Sequence, residues 1–189
     1  MNVYDFDYTI YNGDSTVDFW KFCLRKHPYA LLSLIPSVVG FGLYLFRIID
    51  KTKFKQMFYT FLKYIPSIDD ELSLFWEEKE SKIQSWYIAG KKDDDIIISA
   101  SPYFLLKPIC DKLGVRVIAS IVEKHTGVYT GENCYGDEKV KRFQSEFPCS
   151  EINEFYSDSI SDKPLADLSK IAFLVLGDKI IEWEGHENG

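Results

Sequence analysis

The chain has 189 residues and a mass of 22.0 kDa, with 29 Asp+Glu against 22 Lys+Arg, a formal charge of −7 and 16% aromatic residues. The length suits one domain, or one domain carrying a large insertion, and such a chain buries about 70% of its unfolded surface without disulfide or structural metal. The acidity disfavours binding to a phosphate backbone, so no nucleic-acid partner is expected, and an anionic substrate would need a cation or a cluster of donors.

Asn2 to Phe6 reads as a strand ending in Asp5-Phe6-Asp7-Tyr8-Thr9. Met1 to Asp5 has no basic start followed by an apolar run, so no signal peptide is expected. Residues 14 to about 90 read as helical. Asp14 or Ser15 can cap a first helix with Val17, Trp20, Lys21 and Leu24 on one side. Pro28 to Phe46 is 19 residues without a charge, long enough to span a bilayer. Pro36, Gly40 and Gly42 weaken it as one helix, and a single span would separate site residues that must meet. A buried helical pair is the expectation, with contact at a membrane interface as the alternative. Phe54, Met57, Phe58, Phe61, Leu62 and Ile65 form an amphipathic stripe. Leu72, Phe75, Trp76, Ile83 and Trp86 form another after Ser67-Ile68-Asp69-Asp70.

After the charged turn at Gly90–Asp95 the pattern alternates between strands and helices. Asp95–Ser99 is a β-branched strand, and Pro102 opens a helix that ends before Gly114. Val115–Ala119 is a strand, and Gly127–Gly131 with Cys134-Tyr135 suggests a hairpin. Asp137–Phe147 is a helix closed by Pro148, Glu154–Ser157 a strand, and Pro164 opens a further helix. Ile171–Leu176 is a strand and Lys179–Trp183 a candidate last one. The alternation predicts an α/β fold with a mostly parallel sheet covered on both faces, interrupted after its first strand by about 80 helical residues. Cys23, Cys110, Cys134 and Cys149 form no CxxC pair, and His27, His125 and His186 no HExxH. Reduced thiols in a cytoplasmic protein are expected, without a zinc site of the usual kinds.

Ligands of open α/β sheets bind outside the carboxyl ends of the strands. Those ends carry Asp5 and Asp7, then Ser99, then Asp158 and Asp162, with Lys139 near a helix start. Carboxylates are hard ligands suited to Mg²⁺, which joins phosphate oxygens. Asp5 and Asp158 could share one ion, and Asp5 could attack phosphorus. Asp7 could protonate a leaving oxygen. Ser99 and nearby N–H groups could hold phosphoryl oxygens, and Lys139 could supply positive charge. Taken singly, each residue is more often a cap or surface group. An EF-hand reading of Asp5-x-Asp7-x-Thr9 fails because Ile10 stands where Gly is needed.

The ordered set DFDYT, Ile96-Ile97-Ile98-Ser99, Gly136-Asp137-Glu138-Lys139 and Ser157-Asp158-Ser159-Ile160-Ser161-Asp162 resembles the haloacid dehalogenase superfamily, in its phosphoserine-phosphatase-like branch. The resemblance implies a Rossmann-like core over residues 1–12 and 91–189, with a helical cap over 13–90. It implies a Mg²⁺-dependent phosphatase working through an aspartyl-phosphate. Asp5 would be nucleophile and metal ligand, and Asp7 acid/base and carbonyl ligand. Asp158 would be a ligand, and Asp162 would support the metal shell or Lys139. Asp14, Ser99, Ala100 and Ser101 would contact substrate. The implied substrate is a small phosphorylated metabolite such as phosphoserine. Two alternatives stay open: a membrane-facing lipid phosphatase of the phosphatidylglycerophosphatase kind, and a catalytically silent phosphate-ester binder. For the former, Pro28–Phe46 beside Arg47, Lys51, Lys53 and Lys55 suits peripheral contact of residues 28–55 with an anionic inner membrane face.

Overall fold

A computed structural model of the chain describes residues 1–183; His186 lies outside them. The fold is α/β. Strands β1 (Asn2–Tyr4), β2 (Ile96–Pro102), β3 (Arg116–Ser120), β4 (Ile152–Ser157), β5 (Ser169–Leu176) and β6 (Lys179–Glu182) form one sheet in the order β3-β2-β1-β4-β5-β6. All neighbours are parallel except β5 and β6. The order reverses at β1, which lies between β2 and β4. In open parallel sheets that reversal leaves a crevice at the carboxyl ends of the strands.

Side chains alternate across the sheet, so each strand feeds two cores. Val3, Ile96, Ile98, Phe155 and Ala172 pack on one side with Phe143 and Phe147 of the α7 region (α7, Asp137–Glu146) and with Leu165 of α8 (Lys163–Ala166). Tyr4 and Ile97 face the other side, against Leu105, Leu106 and Ile109 of α6 (Tyr103–Leu113) and the aromatic helices inserted after β1. Complete burial on both faces explains why β2 reads as the continuous run Ile96-Ile97-Ile98.

The insertion comprises α1 (Ser15–Lys26), α2 (Leu34–Leu45), α3 (Lys51–Phe58), α4 (Ile68–Lys79) and α5 (Ser85–Gly90), with short 3-10 turns between them. Asp14 caps α1 by accepting from the Val17 N–H at 2.9 Å. The buried side of α1 includes Phe19, Phe22 and Cys23, while Val17, Trp20, Lys21 and Leu24 are not among its buried residues. Phe19 meets Phe61 and Phe75, with ring centroids 6.1 and 5.2 Å apart, and Trp20 and Leu24 sit at the edge of this cluster. The Trp76 indole N–H donates to the Leu105 carbonyl at 2.8 Å, tying α4 to α6.

Three expectations need correction. Pro28 to Leu45 is not a buried pair: only 22% of it is buried. The segment packs on one side only, where Gly40 lets α2 approach Met57 so closely that a β-carbon would lie 2.9 Å from its sulfur. Among the described residues no further layer covers the opposite side. The hairpin after β3 reduces to one bridge, Val122 with Tyr129. Backbone bonds from the Glu123 N–H to the Val128 carbonyl at 2.8 Å and from the Thr130 N–H to the Ile121 carbonyl at 3.0 Å flank that bridge, and Ser120 Oγ, accepting from the Cys134 N–H, and the Glu123 carboxylate, accepting from the His125 and Thr126 N–H groups, brace the loop. Pro102 is the cap of α6 and the last residue of β2, not the first helical position.

Gly127 joins this loop to the insertion. Its φ is +74°, and a β-carbon there would lie 2.5 Å from Tyr59 Cβ and 2.8 Å from the Tyr59 carbonyl oxygen. Gly127→Ala should therefore lower the unfolding free energy by about 2 kcal/mol, from backbone strain plus overpacking, as read by urea denaturation.

Candidate active site

β1 ends at Tyr4, and the Asp5 N–H still donates to the Tyr156 carbonyl of β4 at 2.9 Å, so Asp5 is anchored at the carboxyl end of a central strand. Phe6 is buried between Asp5 and Asp7, which leaves both carboxylates on the cavity side. The chain then turns through Tyr8 in the left-handed region at φ 55°. The Tyr8 N–H donates to the Gly13 carbonyl at 2.9 Å, closing the loop back onto α1. Buried Thr9 accepts from the Asp158 N–H at 3.1 Å, joining the first loop to the one after β4.

Asp7 is held at both oxygens. The Ser15 N–H donates to one at 2.7 Å and the Ser101 hydroxyl to the other at 2.5 Å. Ser99 is buried at the bend of β2, where its hydroxyl accepts from the Ser101 N–H at 3.1 Å. Lys139 lies in the first turn of α7 and is 1% exposed. Its ammonium is 3.0 Å from Asp5 and 2.7 Å from Asp162, and the Ser157 hydroxyl donates to the same Asp162 oxygen at 2.7 Å.

These groups line one cavity of about 330 Å³. Asp5, Asp7, Asp14, Ser99, Ala100, Ser101, Lys139, Asp158 and Asp162, all singled out in the sequence, contribute to its wall. Asp14 lines the cavity and also caps α1. The opposite wall comes from the insertion: Val17, Lys51, Phe54, Lys55, Phe58 and Tyr59. Lys55 was read in the sequence only as one of a surface row. It instead reaches inward and donates to the Ala100 carbonyl at 3.0 Å. A signal was present, since Lys51, Phe54, Lys55 and Phe58 follow i, i+3, i+4, i+7 spacing and share one helix face. Thr16, whose hydroxyl is 3.2 Å from that of Ser101, carried no such signal.

Electrostatics follow from burial and crowding. Burial, opposed by the Lys139 ammonium and reinforced by Asp162 and Asp7, pushes the Asp5 carboxyl up to about 7. Burial and the Asp14 charge push Asp7 up to about 6, despite its Ser101 and Ser15 donors. Burial and Asp162 raise Asp158. Burial opposes the charge on Lys139, yet Asp5 and Asp162 outweigh it and leave its pKa raised. Lys55 is lowered to about 8, chiefly by burial and by Lys51.

The donor set fits a hard divalent cation. It offers only oxygens, and a cation would offset both the burial and the mutual repulsion that raise Asp5, Asp7 and Asp158. Among the described residues no three acidic, His or Cys side chains form a ready-made cage.

An acid raised by folding is destabilising wherever it ionises more readily in the unfolded chain. For Asp7 that penalty is absent below the unfolded value of 3.8, grows as pH rises, and is complete above about 6. Asp7→Asn removes it. The stability of the metal-free protein relative to this variant should fall by about 3 kcal/mol between pH 3 and 8, as measured by urea denaturation across pH.

A model of the haloacid dehalogenase-like hydrolase family matches residues 3–167. Histidinol-phosphatase of Neisseria meningitidis serogroup C (strain 8013) is 30% identical over 122 residues, which are 57% of this chain and 53% of that protein. The chain thus spans about half the length of this curated relative. A Bordetella pertussis Tohama I protein of unknown function shares the fold with a TM-score of 0.70 at 19% identity, covering 88% of this chain and 85% of that one. A probable phosphoserine phosphatase from Vibrio cholerae gives 0.65 at 12% identity, covering 90% and 55%. A phosphoserine phosphohydrolase-like protein from Francisella tularensis subsp. tularensis SCHU S4 gives 0.55 at 14% identity, covering 91% and 86%. The family match runs from β1 through α8 and includes every residue gathered around the cavity, so the chain belongs to the haloacid dehalogenase-like hydrolase family.

Proposed function

We propose that the protein is a Mg²⁺-dependent phosphomonoesterase that forms an aspartyl-phosphate on Asp5. The observation that carries this reading is the arrangement around Asp5: a buried carboxylate at a strand end, 3.0 Å from the Lys139 ammonium, in a cavity it shares with Asp7 and Asp158. Asp5, Asp158 and the Asp7 carbonyl would hold the cation, whose charge would neutralise the carboxylates and the phosphoryl oxygens. An Asp5 oxygen attacks phosphorus while the bond to the leaving oxygen breaks. Asp7, with its raised pKa, delivers a proton to that oxygen. Asp7 then takes a proton from the water that attacks the aspartyl-phosphate, which releases phosphate and restores Asp5. Ser99 and the Ala100 N–H bind phosphoryl oxygens, and Lys139 offsets charge on the equatorial oxygens. Asp162 positions Lys139 through the 2.7 Å contact.

Residues 13–90 act in this reading as a cap over a core formed by 1–12 and 91–189. The cavity volume suits a small phosphorylated metabolite. Asp14 on one side and Lys51 and Lys55 on the other complement the amino and carboxyl groups of an ester such as phosphoserine. The cytoplasm is the proposed compartment, consistent with four unpaired cysteines. A second reading, a lipid phosphomonoesterase, is favoured by Phe54, which lines the cavity and also stacks against Tyr44 of the exposed α2 at 5.5 Å.

With 4-nitrophenyl phosphate, EDTA should abolish turnover and Mg²⁺ restore it, and Asp5→Asn should lose about 10⁴-fold or more. Full turnover by Asp5→Asn, or turnover indifferent to EDTA, overturns the reading; tight binding of phosphate esters without hydrolysis would mark a silent binder. In single-turnover measurements of leaving-group release, Asp7→Asn should slow the first step by about 10²–10⁴-fold on an alkyl phosphate but much less on 4-nitrophenyl phosphate, whose leaving group needs little proton assistance.

A further inference from the structure

The chain from Pro28 to Ile48 contains one charged residue, Arg47, and presents a broad apolar surface outward. Ile35, Val38, Leu45, Phe46 and Ile48 are each between 62% and 81% exposed. A helix that is apolar on all sides is normally buried in a core or in lipid, and α2 is not buried in this one. An exposed patch of this kind marks an interaction site.

The charge around it identifies the occupant. Residues 19–68 hold eight Lys and Arg against one acid, Asp50, while the rest of the chain holds 14 against 28. Asp50 is engaged in capping α3, where it accepts from the Lys53 N–H at 2.7 Å. Arg25 and Lys26 are paired with Glu78 and Glu71 of α4, and Lys55 turns into the cavity. Arg47 and Lys53 remain exposed beside the apolar face, without a salt bridge among the described residues. An apolar face fringed by cations matches the boundary between acyl chains and anionic headgroups. It matches a second copy poorly, because two such fringes would repel. The segment lies on the bilayer rather than through it, since β1 before it pairs with β4 after it.

We propose that the protein docks on an anionic membrane surface through Tyr29–Ile48, with Arg47 and Lys53 at the headgroup level. α3, which carries Lys53, also supplies Phe54 and Lys55 to the cavity wall, so the docking surface and the site share one helix. The docking does not rest on the phosphatase reading.

The test is sedimentation of the full chain with vesicles of phosphatidylglycerol and phosphatidylcholine, against vesicles of phosphatidylcholine alone. Two double variants accompany it, Ile35→Glu with Val38→Glu and Arg47→Glu with Lys53→Glu. Circular dichroism reports their folding, and 4-nitrophenyl phosphate turnover reports the site. The expected result is partitioning to the anionic vesicles about tenfold or more stronger than to phosphatidylcholine, weakened by high salt. Each folded double variant should lose about tenfold or more while turnover per molecule is unchanged. Partitioning without any turnover would support the docking and overturn the phosphatase reading alone. Failure to bind anionic vesicles overturns the docking. So does unaltered binding by the folded variants, or a dimer in sedimentation velocity that Ile35→Glu with Val38→Glu dissolves without vesicle binding by the parent.

Discussion

The buried Lys139 ammonium holds the charge at the centre of this molecule in balance. Lys139 sits between Asp5 and Asp162, with Asp7 and Asp158 in the same cavity wall. Carboxylates at this density would repel one another strongly in a poorly hydrated site. Lys139 offsets part of that repulsion, while burial first and the neighbouring acids second keep Asp5, Asp7 and Asp158 raised. In the proposed function, the residual negative charge is what a divalent cation would neutralise on binding, and the cation's charge is what would draw a phosphate. The overall acidity of the chain therefore bears on nucleic acid, while local charge governs this site.

That balance depends on the sheet. β1 is only three residues long, yet its place between β2 and β4 sets Asp5 beside the ends of both neighbours. Lys139 and Asp162 arrive from α7 and the 3-10 turn before α8, elements packed on the face opposite the insertion. The cation and its acids thus come from separate parts of the chain, and the parallel register of β1 with β4 makes them meet. The insertion closes the other side. Its aromatic cluster joins the α6 side of the core, and Tyr59 rests directly on Gly127.

Much of this was legible beforehand because the relevant signals are local. β-branched runs mark strands buried on both faces. Asp, Ser and Asp at strand ends mark the crevice. Gly114, at φ +70°, ends α6 where a left-handed residue was needed. The misjudged parts depend on what packs from outside an element. Phe61 and Phe75, distant in sequence, decide which apolar residues of α1 face the core. The loop after β3 pairs its arms over too few residues to leave an alternating pattern. Lys55 resembled its surface neighbours in composition and differs from them only in direction.

The sequence by itself determined the α/β fold, the position of the helical insertion, and a set of acids, serine and lysine at strand ends whose order resembles one hydrolase family. These follow from periodicity and spacing, which act over a few residues. Only the tertiary structure decided that Asp162 binds Lys139, that Lys55 faces inward, and that the apolar stretch at Pro28–Leu45 lies on the surface. An apolar run states a preference for leaving water, but whether protein covers it depends on packing partners elsewhere in the chain, and here those partners cover one side of α2 and leave the other exposed.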